Sequence, residues 1–167
     1  MDPKETKIVI SSDFTHWGLP YDFFFKIDNM KNFNKYITND NVEMELNSNK
    51  GINLLNLASM LVLSPEKKIS PLVYKNMEMP QLLNAQPNYK SGAILYNFKV
   101  YLRETEDTIC GMYPIMFVLS IIDDEQLRNS FNLSSNACFK FVDYNYSSKV
   151  QEVGDYRVSY VSGYISN

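Results

Sequence analysis

Residues 138-CFKFVDYNY-146 and 156-YRVSYVSGYI-165 both alternate, and a polar stretch around Gly154 separates them. Successive side chains of an extended chain point to opposite faces, so an alternating run fits a half-buried strand. Two such runs joined by a turn read as an antiparallel hairpin. The apolar face of that hairpin needs a cover. The stretch 52-INLLNLASMLVL-63 supplies one: its apolar residues include positions 54, 57, 58 and 61, and Pro65 stops it. Asn49 or Ser48 is placed to cap its start. It is apolar nearly all round, as a helix buried in the centre of a domain would be.

The remaining segments extend this reading. The stretch 8-IVI-10 reads as a short strand, 13-DFTHWGLPYD-22 as an aromatic loop, and 21-YDFFFKI-27 as an apolar strand. Seven asparagines between Asp28 and Gly51 favour turns, with 42-VEMEL-46 as a half-buried strand among them. The segments 93-AILYNFKVYL-102 and 115-IMFVLSII-122 read as a second hairpin through the charged turn 103-RETEDT-108. A short helix is expected over 123-DDEQLRNSF-131, its carboxylates favoured by the N-terminal dipole. The fold class is α+β: a mostly antiparallel β-sheet with a few helices packed on it, in one compact domain. Residues 1–20 are expected to form an N-terminal arm or loop with a short strand, and residues 21–167 the domain proper.

Composition agrees with a packed core. The chain is 45% hydrophobic and 14% aromatic, with 12 Tyr and 10 Phe, which argues against disorder. Sixteen basic against nineteen acidic side chains leave a formal charge of −3. Neither half is basic, so no electrostatic footprint for a phosphate backbone exists, and direct sequence-specific nucleic-acid binding is not expected. Cys110 and Cys138 read as two reduced thiols rather than a disulfide framework. The start MDPKETK does not read as a signal peptide, and the longest uncharged run, 109–122, reads as too short to span a bilayer. These features lead us to expect a soluble, cytosolic protein, whose sequons at Asn132 and Asn145 arise by chance.

Chemistry-bearing patterns are sparse. His16 is the one histidine, and a Cys/His pair would have to join it to Cys110 or Cys138. Their spacing gives no support for that, so the expectation is no enzyme, no catalytic residue and no cofactor. With one His and no CxxC, no metal site is expected either. Asp123–Asp124–Glu125 reads as helix capping before it reads as a Mg²⁺ site, and no nucleotide-binding glycine motif is present. Phe14, His16, Trp17 and Pro20 form a possible N-terminal contact. Lys67, Lys68, Lys75 and Lys90 are either solvated loop lysines or a modest patch for acidic lipid or an acidic partner. In 77-MEMPQLLNAQPNY-89 two prolines bracket an apolar centre. That loop either lies against its own domain or docks into a neighbour.

Four stretches together resemble a rhabdovirus matrix protein. The strand 21-YDFFFKI-27 resembles that family's opening strand. The loop 79-MPQLLNAQP-87 resembles its proline-bracketed self-association loop. The run 115-IMFVLSIIDDEQL-127 is similar to an apolar strand ending in Asp–Asp–Glu, and residues 139–166 look like its C-terminal hairpin. The small matrix proteins of plant-infecting rhabdoviruses are the nearer comparison, since a long Lys-rich arm and a proline-rich budding motif are missing. The resemblance implies a matrix-like domain over 21–167 that self-associates, condenses the helical nucleocapsid and links it to the envelope's inner face. The implied self-association loop is Met79, Pro80, Gln81, Leu82, Leu83, Asn84, Ala85, Gln86 and Pro87. The implied partners are further copies of the chain, the viral nucleocapsid protein, the inner leaflet of the envelope and the glycoprotein tail. The implied location is the virion and the host cytoplasm, with peripheral membrane association. The alternative is a monomeric viral accessory protein that binds a host factor.

Overall fold

The computed structural model of the chain describes residues 8–24, 49–66, 68–83, 93–152 and 154–166. The C-terminal hairpin organises it. Strand β2 (Cys138–Tyr146) and strand β3 (Arg157–Ser166) pair antiparallel, with Cys138 opposite Ser166 and Tyr146 opposite Ser159. The register shifts between Phe141 and Asp143. On the other side of β3 lies β1 (Asp13–Trp17), also antiparallel, which places His16 opposite Val158 and Trp17 opposite Arg157. The strand order is β1-β3-β2, so the hairpin's second strand is central.

Helix α1 (Asn49–Leu63) lies on this sheet, and every residue from Gly51 to Leu63 is buried. Its sequence is apolar all round because it is surrounded all round. Three polar residues are buried with it: Asn53, Asn56 and Ser59. Each is satisfied locally, as buried polar groups must be. The Asn56 amide donates to the Ile52 carbonyl and to Ser159 Oγ, and its Oδ1 accepts from Thr15 N–H and Oγ1. Hydrogen bonds rather than packing alone therefore tie the central helix to β1 and β3.

Four shorter helices follow: α2 (Pro71–Asn76), α3 (Ile94–Thr105), α4 (Met112–Asp123) and α5 (Glu125–Ser130). With α1 they make five α-helices and one small three-stranded antiparallel sheet among the described residues, an α+β fold. The balance differs from the sequence expectation, because the hairpin expected from 93–102 and 115–122 is a pair of helices. In α3 the buried residues Ile94, Phe98, Tyr101 and Thr105 recur at helical spacing, which the aromatic and β-branched content of the segment masked. In α4 an unbroken apolar run is ambiguous by period. Pro114 fits its first turn, where a backbone N–H has no intrahelical acceptor. Asp123 decides the packing of the pair: its two carboxylate oxygens accept the N–H groups of Ile94 and Leu95, at 3.2 and 2.8 Å. The neighbouring Asp124 caps α5 by accepting Leu127 N–H at 2.8 Å. The acidic triplet thus does capping work at two helices.

Other expectations shift as well. Residues 8–10 form no strand, and the aromatic stretch after them does: Phe14, Thr15 and Trp17 of β1 are buried. The strand expected over 42–46 and the last residues of 21–27 lie outside the described residues. No helix among the described residues is long and apolar enough to cross a membrane.

Candidate functional site

Strand β1 and the turn at Thr108–Gly111 are stitched together by polar contacts. His16 N–H donates to Thr108 Oγ1 at 2.9 Å, and that hydroxyl donates to the His16 carbonyl at 2.7 Å. Cys110 N–H donates to the Asp13 carbonyl, Asp13 N–H points at Cys110 Sγ (3.2 Å), and Gly111 N–H donates to Ser12 Oγ. The approach is so close that a Cβ on Gly111 would collide with the Ser12 side chain. Glycine is required here for space rather than for backbone angle.

This stitching brings Asp13, His16 and Cys110 together, with a ligand atom from each within 4.8 Å of the others. The His16 ring is oriented from two sides. Its Nδ1 lies 2.9 Å from the Thr108 carbonyl, which only accepts, so Nδ1 carries a proton and, in the neutral ring, the lone pair is on Nε2. Tyr21 meets the ring edge-on, with centroids 4.9 Å apart. The Nε2 atom faces Asp13 Oδ2 at 4.0 Å. A backbone carbonyl holding the remote ring nitrogen is the arrangement that fixes metal-binding histidines. Cys110 is exposed and Asp13 is half-buried, so the cluster opens to solvent.

Beneath the cluster sits Asp107, buried, with its Oδ2 2.7 Å from the Tyr101 hydroxyl. That hydroxyl also lies 3.0 Å from the Leu55 carbonyl. Burial pushes the Asp107 carboxyl up to about 6, against the opposing hydrogen bond from Tyr101. A second buried polar group lies across α1. The Arg157 guanidinium, fully buried, donates to Asn49 Oδ1 and to the Tyr144 hydroxyl, both at 2.9 Å, and to Asn53 Oδ1. It also stacks 3.8 Å over the Tyr146 ring.

Of the residues singled out from sequence, His16 and Cys110 meet in space, although Asp13 and Cys110 are 97 positions apart. A spacing rule cannot register such a site. Cys138 is remote from it in role: it is buried at the start of β2, and burial pushes its thiol up. Phe14 and Trp17 belong to the core and leave Pro20 exposed, so the N-terminal contact group does not form one surface. In the proline-bracketed loop, Met79 and Leu82 are buried at 2% and 1% exposure, while Leu83 is 44% exposed. Met79 and Leu82 are thus covered by their own chain; Asn84, Ala85, Gln86 and Pro87 lie outside the described residues. Of the lysines, Lys68 is tied to Glu66 (3.2 Å), Lys75 is exposed, and Lys67 and Lys90 lie outside the described residues.

The model of the Memo-like protein family matches residues 1–164. The chain belongs to the Memo-like protein family. It is 28% identical over 166 residues to a MEMO1 family protein of Saccharomyces cerevisiae, covering 95% of this chain and 42% of that relative. It is 40% identical over 68 residues to a memo-1 homolog of Caenorhabditis elegans, covering 40% of this chain and 18% of that protein. To the human protein MEMO1 it is 37% identical over 67 residues, covering 40% of this chain and 21% of that protein. The chain therefore spans less than half the length of the curated relatives it matches.

Membership in this family of yeast, worm and mammalian proteins overturns the rhabdovirus matrix resemblance. The structure shows why the resemblance misled. The supposed apolar strand over 115–122 lies in helix α4, and the supposed self-association loop buries its own Met79 and Leu82. The matrix function and the virion go with it, as do the partners it implied: further copies, nucleocapsid protein, envelope leaflet and glycoprotein tail. The viral accessory alternative is equally unsupported, and of the implied locations only the cytoplasm is compatible with cellular relatives.

Proposed function

We propose that this Memo-like chain binds a divalent transition-metal ion through Asp13, His16 and Cys110. One observation carries the reading: a carboxylate, an imidazole and a thiol converge within 4.8 Å, and the imidazole's lone pair is turned toward the others. Donors around a tetrahedral ion with bonds near 2.0–2.3 Å sit about 3.5 Å apart, so the cluster would close on an ion by side-chain movements of about 1 Å. The mixed nitrogen, sulfur and oxygen set suits zinc, cobalt or iron better than magnesium or calcium, which prefer oxygen alone. Three protein donors leave a fourth position for water or for a group from another molecule. The proposed role is binding, and no reaction is assigned to the cluster.

Cobalt reports directly on this arrangement, because a thiolate ligand gives a charge-transfer band in the near ultraviolet. Titration of the protein with Co²⁺ should produce that band at one equivalent, and Zn²⁺ should remove it. Cys110→Ser should abolish the band, and His16→Ala should weaken binding by about 10–100-fold or more. Thr108→Val keeps the carbonyl that holds the His16 ring but removes the hydroxyl that bonds the His16 backbone, so it should weaken Co²⁺ binding while leaving the position of the band unchanged. No band with wild-type protein, or one that survives Cys110→Ser, would refute the reading.

A further inference from the structure

Asp107 is a buried carboxyl that the ion cluster does not use as a ligand. It is 6% exposed, and its Oδ1 has no hydrogen-bond partner among the described residues. The neighbouring Thr15 hydroxyl gives its one proton to Asn56 Oδ1. The acidic groups ion-paired among the described residues are Asp13, Glu66 and Glu78, and Asp107 is not one of them. Carboxylates inside a protein are normally paired, because a lone charge away from water is costly.

A count of protons shows the same shortage. The Tyr101 hydroxyl lies 2.7 Å from Asp107 Oδ2 and 3.0 Å from the Leu55 carbonyl, and it has one proton for two acceptors. An asparagine amide at 107 would supply the missing donor, so the fold alone is better served by Asn than by Asp. The charge is useful in another place. Thr108, the next residue, holds the His16 ring through its carbonyl and the His16 backbone through its hydroxyl. Cys110 follows on the same turn, and the Asp107 carboxylate and the His16 ring act on each other's charge.

An ion at Asp13, His16 and Cys110 sets a double positive charge over this unpaired carboxylate. Burial keeps water from screening their attraction. We infer that Asp107 is the internal counter-charge of the ion site: without ligating the ion, it strengthens the hold on a doubly charged one. The inference rests on the ion-site reading above. Asp13, the Cys110 thiolate and Asp107 then set three negative charges around the ion, with His16 neutral, which favours a divalent over a monovalent cation.

Asp107→Asn removes the charge and keeps the shape. At about pH 8 its Co²⁺ affinity, read from the thiolate band, should fall by about tenfold or more, while the metal-free protein melts at a higher temperature than wild type. Ag⁺, followed by its displacement of Co²⁺, carries half the charge, so its affinity should fall by only the square root of that factor, about threefold. Tyr101→Phe breaks the same hydrogen bond but keeps the carboxylate, and should hold Co²⁺ within about threefold of wild type. Unchanged Co²⁺ affinity in Asp107→Asn, equal losses for Co²⁺ and Ag⁺, or an equal loss in Tyr101→Phe would each overturn the counter-charge and leave the ion site standing. A wild-type protein with no band would overturn the ion site and the counter-charge together.

Discussion

Replacing Arg157 by methionine is the sharpest test of how the sheet is locked to α1. The guanidinium is fully buried, donates to Asn49 Oδ1, Asn53 Oδ1 and the Tyr144 hydroxyl, and stacks on Tyr146. Methionine fills similar volume, so the loss is chemical more than steric. Asn49 Oδ1 keeps the Val150 N–H and Asn53 Oδ1 keeps the Tyr144 hydroxyl as donors, so the loss is three hydrogen bonds to a charged group, at roughly 1.5–3 kcal/mol each. The ring stacking adds about 1–2 kcal/mol. Removing a buried charge recovers part of this, since its desolvation cost disappears. A net loss of roughly 3–5 kcal/mol follows, which for a chain of this length lowers the melting temperature by about 10 °C. Arg157→Lys keeps the charge but not the planar fork, and should lose about half as much. Urea unfolding followed by circular dichroism measures both. If methionine costs less than about 1 kcal/mol, or lysine is as good as arginine, the network does not hold the hairpin to α1 as argued.

Three further outcomes follow from the geometry. Asp107 has a folded pKa of about 6, raised from its ordinary value of 3.8 by burial, so its contribution is fully present below about pH 4 and is lost as pH rises through 6. Asp107→Asn should therefore gain on wild type by about 2 kcal/mol between pH 4 and pH 7. Unfolding curves at both pH values check it, and a pH-independent difference would show that the carboxyl is not penalised by burial. Leu82→Ala should cost about 2–5 kcal/mol and Leu83→Ala no more than about 0.5, because only the first is enclosed. Equal losses in thermal melts would contradict the packing of the proline-bracketed turn. Gly111→Ala should push the Thr108–Gly111 turn off β1 and weaken Co²⁺ binding by about tenfold or more. Unchanged cobalt affinity would mean the close approach to Ser12 does not position Cys110.

The C-terminal hairpin and the buried central helix were legible because their signals are local. Alternation over Cys138–Tyr146 and an apolar surface all round α1 state which sides of an element meet the core. Capping by Asp124 was legible for the same reason, since its target is three residues away. The two central helices were not, because tyrosine, phenylalanine, valine and isoleucine pack well on strands and on buried helices alike. Asp123, at the end of α4, meets the first N–H groups of α3 across a gap of 29 residues, a contact that no local pattern registers. Short apolar segments take the state their surroundings stabilise.

The sequence by itself determined that the chain would fold around an apolar helix and a C-terminal hairpin. It also confined any nitrogen ligand of histidine type to His16. Only the tertiary structure decided that His16 stands beside Asp13 and Cys110, that Leu82 faces inward, and that β3 is the central strand. The physical reason is range. Periodicity and capping act within a few residues. A site assembled from segments 97 positions apart exists only after loop closure has been paid for by the contacts around it.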